Sequence, residues 1–234
     1  MSLQSALQSR SFRPRSFRRS ADIAPPLPSS ETQSPLELIE SLGGKMLYAR
    51  GAEIYGEQEP GIYLYEVVSG AVRSYKVLMD GRRQICDFHL RGDFFGLEAD
   101  ETHMLSTEAI TDSTILLIKR SAVMALVQCD RHVAQQLWAM TNGELRRTHE
   151  HLLLLIKSAT ERVAAFLLEM ATRMPTPDHV DLPMSRQDIA DYLGLTIETV
   201  SRTLTDLENK KVISLQSSRR VVLRNRFELS RYSG

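Results

Sequence analysis

At 234 residues and 42% hydrophobic content the chain can fill two modest domains, each with its own core, and no apolar run approaches the length of a bilayer span, which excludes a helical membrane protein and predicts a soluble one. Twenty-nine basic and twenty-nine acidic residues leave a formal net charge of zero, so any attraction for a polyanion has to come from a local patch. Two cysteines, Cys86 and Cys129, form no close pair in the sequence, which excludes a disulfide framework and makes a reducing cytoplasm the simplest location.

In chain order, residues 1–35 read as a flexible tail rich in Ser, Gln and Pro, in which Arg10, Arg13, Arg15, Arg18 and Arg19 precede the first acid, Asp22. Such a segment lacks the apolar residues that offset ordering entropy. A transit peptide shares this Arg- and Ser-rich, acid-poor composition and is the lesser alternative. From Pro35 a short helix, LELIESL, is expected to close at Gly43-Gly44. Nine of the twelve glycines then fall between Gly43 and Gly96, separating short β-rich runs such as GIYLYEVVSG, AVRSYKVL and RRQICDFHL. Glycine turns at that spacing predict an antiparallel roll or barrel over residues 36–129, with Asp80-Gly81 turning one hairpin.

The longest helical pattern runs over residues 130–157, with Asp130 as its N-cap. Trp138, Leu145, Leu152 and Ala159 recur every seven residues, and Thr141, Thr148 and Leu155 follow each of the first three by three. That is an a/d seam suited to two helices lying side by side, and a helix buried within one domain is the alternative. Residues 158–234 open with a further amphipathic helix, TERVAAFLLEMATRM, stopped at Pro175 and Pro177.

Two short helical patterns then flank Gly194. Ile189, Ala190 and Leu193 supply the apolar spacing before it, and Leu195, Val200, Leu204 and Leu207 after it. Ser185 and Thr196 are placed as N-caps, and Asp188 completes a capping box with Ser185. A small residue four before a glycine turn allows the tight crossing of a helix-turn-helix. The second helix would expose Glu198, Thr199, Ser201, Arg202 and Thr205. Arginine can donate twice to guanine O6 and N7, a carboxylate can accept from cytosine N4, and serine can approach either base. An ordinary helical hairpin with solvated charges is the competing reading. The closing VISLQSSRRVVLRN reads as two β-rich runs whose turn carries Arg219 and Arg220 within reach of backbone phosphates, making a winged helix-turn-helix.

The stretch SRQDIADYLGLTIETVSR resembles the helix-turn-helix of the CRP/FNR superfamily of transcription regulators. E-x-x-S-R at Glu198, Ser201 and Arg202 is similar to the FNR and FixK branch, closest to FixK-type proteins. Ile197 stands where the catabolite-activator branch carries arginine. The likeness extends over residues 43–234 and implies an α+β chain: an N-terminal antiparallel β-roll (a double-stranded β-helix of the cyclic-nucleotide-binding kind), a long dimerisation helix and a C-terminal winged helix-turn-helix. It also implies a homodimer, probing palindromic double-stranded DNA with TTGAT-like half-sites and contacting RNA polymerase to activate transcription. Arg202 would donate to a guanine, with Glu198 and Ser201 on neighbouring bases. Arg186, Thr196 and Thr199 match the family's phosphate-contacting positions, and Ser185 beside Arg186 is expected near a phosphate, where added negative charge would be repelled, a plain N-cap serine being the favoured alternative. Residues 79–83 and 98–103 are the candidate polymerase contacts.

In cyclic-nucleotide-binding relatives a glutamate follows the GDFFG-like turn and an Arg-Ser pair holds the phosphate. Here Leu97 takes the glutamate position, Glu98 is shifted by one, and Leu105-Ser106 replaces Arg-Ser, so no cyclic nucleotide is expected. An iron-sulfur cluster is not expected either: the tail has no cysteine, Leu116 takes the roll position, and two thiols cannot supply four ligands. His89, His103, His132, His149, His151 and His179 show no metal-binding spacing, and both cysteines read as packing residues. No cofactor and no catalytic constellation is therefore predicted. A ligand- or haem-gated sensor of the same superfamily and a repressor are the alternatives.

Overall fold

The computed structural model describes residues 34–98, 100–174, 176 and 179–233. The expectation of a flexible tail lies outside the described residues apart from its last two positions, which are helical caps rather than coil. Ser34 accepts from the Glu37 N–H and Glu37 reaches back to the Ser34 N–H, with Pro35 at the first position of α1 (Pro35–Ser41). The helix stops at Leu42, and Gly43-Gly44 is not its terminator. Those glycines open strand β1 (Gly43–Tyr48), where a Cβ on Gly43 would stand 2.6 Å from Leu116 Cγ, so Gly43 serves a close strand approach.

The roll follows as β2 (Glu53–Tyr55), β3 (Tyr63–Ser69), β4 (Val72–Val77), β5 (Arg83–His89), β6 (Phe94–Phe95), β7 (Ser106–Ala109) and β8 (Ser113–Lys119). They form two antiparallel four-stranded sheets, ordered β1-β8-β3-β6 and β2-β7-β4-β5. Tyr55, Tyr65, Val67, Val72, Phe95 and Ile115 fill the space inside. The β4–β5 hairpin turns at Asp80-Gly81, with Gly81 at φ 82°, a conformation that costs glycine nothing.

After α2 (Arg120–Cys129), α3 (Arg131–Leu154) starts at Asp130, whose carboxylate accepts from the His132 N–H at 2.8 Å. The expected seam is corrected at its far end. A second capping box, Ser158 with Glu161, starts α4 (Ala159–Arg173), so the helix does not extend over residues 130–157. Leu155 is only the C-cap of α3, and its Cδ2 lies 3.6 Å from where a Cβ on Gly194 would stand. Ala159 belongs to the next helix. On α3 itself Trp138, Leu145 and Leu152 remain 71%, 51% and 62% exposed, a stripe left uncovered by the described residues. Thr141 and Thr148 lie along it with their hydroxyls donated to the Leu137 and Glu144 carbonyls, which removes much of the cost of covering them.

The C-terminal part comprises α4, β9 (Val180–Asp181), α5 (Arg186–Leu193), α6 (Ile197–Asn209), β10 (Ile213–Leu215), β11 (Arg220–Leu223) and α7 (Arg226–Tyr232). A small sheet ordered β10-β11-β9 makes the wing. The roll keeps its own interior cluster, and a second cluster runs across from the roll to the C-terminal part. Phe88 and Ile85 of β5 join one continuous cluster with Phe166 and Leu167 of α4 and with Tyr192 of α5. Phe88 sits 5.1 Å from the Tyr192 ring centre. The two cysteines are not buried in a core: both are exposed, Cys86 on β5 among the residues that line the cavity beside α3 and Cys129 as the last residue of α2. No helix of the described residues is long and apolar enough to cross a membrane.

Candidate nucleic-acid interface

The helix pair α5–α6 is set by three local devices. Ser185 caps α5: its hydroxyl accepts from the Asp188 N–H at 3.1 Å and donates to Asp188 Oδ2 at 2.8 Å, while its own N–H reaches the same carboxylate oxygen at 2.9 Å. Gly194 ends α5 at φ 62°, and the Leu195 N–H returns to the Ala190 carbonyl. A Cβ there would meet nothing nearer than 3.5 Å, so the backbone angle and not crowding requires glycine. Thr196 caps α6 by accepting from the Thr199 N–H at 3.2 Å.

On α6 the 3.6-residue period separates two faces. Val200, Thr203, Leu204 and Leu207 are buried, whereas Glu198, Arg202 and Thr205 are exposed and Ser201 is half-buried. The three residues expected to face bases thus share one open face. The Glu198 carboxyl is held below its ordinary range by its own backbone N–H, then by the Thr196 hydroxyl and Arg202, so it is ionised at neutral pH. Thr196 is exposed and Thr199 half-exposed. Arg186 is half-buried, with its Nε unpartnered among the described residues. At the wing turn Arg219 makes no side-chain bond to a described residue, whereas Arg220 is engaged across the small sheet by Asp181, at 2.6 and 3.1 Å. A phosphate would have to compete with that pair for Arg220.

Sequence reasoning missed a charged clasp that fastens α5 to the roll. Asp188 receives Arg73 of β4 and Arg83 of β5, the latter at 2.8 Å, and Arg83 also donates to Asp191 at 2.7 and 2.9 Å. Arg73 donates in addition to Glu108 at 2.9 Å. On the other side Arg173 of α4 reaches Asp93 at 2.6 Å and the Phe88 carbonyl at 2.5 Å. Burial by itself would raise the Asp188 pKa, but the Ser185 N–H and hydroxyl and the two guanidiniums outweigh it, and the carboxyl is held low. A signal was present in Asp188 and Asp191, spaced to share a helix face, yet nothing in a sequence pairs them with arginines more than a hundred residues away.

A second concavity lies within the roll and against α3, about 330 Å³ in volume, and includes His89, Glu98, Leu105 and Glu144 among its lining residues. Leu105 is on its wall. Glu98 is turned to His103, which stacks on Tyr55. The Glu144 carboxyl is pushed up to about 7, by burial first and then by Asp87, against the opposing pull of Arg147.

Known proteins share both halves of this arrangement. Residues 161–232 match the family model of a Crp-like helix-turn-helix domain, and residues 45–130 match that of a cyclic nucleotide-binding domain. The nitrogen fixation regulation protein FixK of Azorhizobium caulinodans is 46% identical over 224 residues, 93% of this chain and 90% of that protein. The protein of the same name from Rhizobium meliloti is 42% identical over 74% of this chain and 80% of its own length. The structure of FixK2 from Bradyrhizobium japonicum superposes with a TM-score of 0.80 at 52% identity, over 82% of this chain and 98% of that one. The residues around the roll cavity do not fit a cyclic nucleotide. Asp87, Glu98 and Glu144 line the cavity, and no arginine to pair with a phosphate stands among the lining residues described.

Proposed function

The chain belongs to the CRP/FNR family of helix-turn-helix transcription regulators and is of FixK type, and from that premise we propose that it is an activator binding as a homodimer to palindromic, TTGAT-like DNA sites, without a cyclic nucleotide or an iron-sulfur cluster. One observation carries the reading: the face of α6 bearing Glu198, Ser201 and Arg202 is open while its opposite face is sealed into the core. Arg202 donates to a guanine, Glu198 accepts from a cytosine, and Ser201 meets a thymine. Ser185, Arg186, Thr196, Thr199, Arg219 and Arg220 fix the position on the backbone without carrying base information. The test is a mobility-shift titration on a palindromic site, followed by transcription in vitro from the same promoter with no small molecule added. Binding indifferent to base order would end the proposal, and lowered transcription would make the protein a repressor.

Dimerisation is assigned to the exposed stripe Trp138, Thr141, Leu145, Thr148 and Leu152, which would hold two α6 helices about 34 Å apart, one turn of DNA. Leu145→Asp places a charge at the middle of that stripe. It is expected to yield a monomer in sedimentation and to abolish specific binding, with little change in the melting of the chain, because Leu145 is exposed in the isolated chain. Polymerase contact is assigned to the hairpin tip, where Met79 projects fully into solvent.

Ser185 is the proposed point of control. Ser185→Asp is expected to weaken DNA binding by at least about tenfold, because it sets a carboxylate beside Asp188 and where a phosphate would pass. Ser185→Ala separates the two effects: it costs about 1 kcal/mol in stability through the lost cap and, removing one hydroxyl without adding charge, lowers DNA affinity less than Ser185→Asp. Equal affinity of the aspartate variant and wild type would remove residue 185 from the interface.

One observation favours a second reading, a regulator gated by a ligand in the roll: the cavity persists, and Glu144 within it titrates near neutrality. Transcription that depends on an added small molecule, or an absorbance spectrum of the purified protein with a haem band, would select that reading.

A further inference from the structure

Between the roll and the first helix of the reading pair lies a notch of about 360 Å³. Four arginines line it, Arg50, Arg73, Arg83 and Arg219, against two carboxylates, Glu108 and Asp188. Those carboxylates are already committed to Arg73 and Arg83. Arg50 and Arg219 are the surplus. The Arg50 guanidinium has no hydrogen bond or ion pair with any described residue, and its side chain is exposed. Its backbone is nevertheless held: the Arg50 N–H donates to Asp112 at 2.8 Å, and the neighbouring Gly51 N–H donates to the Ala109 carbonyl at 2.8 Å. A fixed turn thus presents a free cation from the roll beside Ser185 and Gln187, at the N-terminal end of α5, and opposite Arg219 of the wing. The first helix of a helix-turn-helix crosses the phosphate backbone, so a phosphate chain passing α5 runs by this notch.

We propose that the roll is itself part of the DNA-binding surface, with Arg50 and Arg219 receiving one backbone phosphate in each half-site. Because the four-arginine notch joins the two parts of the chain, this contact exists only while the clasp through Asp188 holds. The inference rests on the DNA-binding reading above, and it is separable from it: Arg50 touches no base, so its loss is expected to weaken all sequences alike and leave base preference unchanged.

The experiment measures DNA affinity of the full chain against salt concentration for wild type, Arg50→Ala, Arg50→Lys and Arg91→Ala. Arg91 is an exposed cation elsewhere on the roll and serves as a charge control. For a dimer Arg50→Ala is expected to flatten the log–log salt dependence by about two units, Arg50→Lys to restore most of the slope, and Arg91→Ala to leave it as in wild type. Ethylation interference is expected to lose one phosphate per half-site in Arg50→Ala only. All variants should melt with wild type, since the exposed Arg50 and Arg91 side chains make no hydrogen bond or ion pair with a described residue. An unchanged slope with specific binding intact, or an equal loss in Arg91→Ala, would overturn the inference alone; loss of base discrimination by wild type would remove the DNA reading beneath it. Inorganic phosphate at constant ionic strength gives the remaining arm. A melting temperature raised by phosphate in wild type but not in Arg50→Ala, with DNA binding the same in both, would make the notch a free-anion site and refute the proposal.

Discussion

Asp188→Ala is expected to cost about 3–5 kcal/mol of unfolding free energy at neutral pH, read from urea denaturation, because it leaves Arg73 and Arg83 without the buried carboxylate they share. Their side chains are only 13% and 25% exposed, so water cannot fully replace the lost partner. The α5 cap is weakened by the same change, since Asp188 is the acidic half of the Ser185 capping box. The pH dependence has a definite sign. The folded Asp188 pKa lies below its ordinary value of 3.8, so the carboxylate stabilises the fold at all pH values above that and the contribution is lost as pH falls through the folded value. The gap between wild type and Asp188→Ala should therefore be constant from neutrality down to about pH 5 and close at more acid pH. A gap that did not change with acid would mean that the stabilisation comes from packing and not from charge. Amide exchange is expected to accelerate first in α5 and along β5, the two elements the clasp joins.

Arg202→Ala is expected to act in the opposite way, on binding and not on stability. The side chain is exposed and takes part in no hydrogen bond or ion pair with a described residue, so unfolding should be unchanged. A bidentate arginine–guanine contact carries about 1–3 kcal/mol, and a dimer makes it twice, which puts the loss of affinity at no less than about thirtyfold. Specificity should relax at one base pair per half-site. The check is a cycle in which the facing guanine is replaced: wild type should discriminate between the two sites, and Arg202→Ala should bind both alike. Equal discrimination by the two proteins would show that another side chain reads that position.

Much of the reading pair was legible because its signals are short-range. Ser185, Asp188, Gly194 and Thr196 each act on backbone groups within four residues, so their chemistry could be inferred from spacing and was found where expected. The Asp80-Gly81 hairpin is local in the same sense. The misreadings share the opposite cause. Gly43-Gly44 looked like a helix stop, and the need that Gly43 answers is the approach of Leu116 from the distant strand β8. The new helix after Ser158 was legible, but the heptad spacing of Leu155 and Ala159 runs on across the break, and α3 ends at Leu154 and not at residue 157. Strand β9 has two residues and pairs only with β11, too short to leave any periodicity. Cys86 and Cys129 read as packing residues, with an exposed thiol as the alternative, and both are exposed: Cys86 borders the cavity beside α3 and Cys129 stands at a helix end.

Local chemistry in the chain was enough to establish which residues cap, turn and face outward, and with the family likeness to point to DNA. Each of those features depends on neighbours a few residues apart, and the 3.6- and 2-residue periods carry them without any knowledge of the rest of the fold. Whether the roll and the reading helices form one body or two was decided only in three dimensions. In the sequence Arg73, Arg83, Asp188 and Asp191 carry no mark of their burial or pairing, and Phe88 reads as an ordinary strand residue. Their pairing across more than a hundred positions follows from how β5 and α5 come to lie against each other, and long-range electrostatics and packing of that kind have no signature in residue spacing.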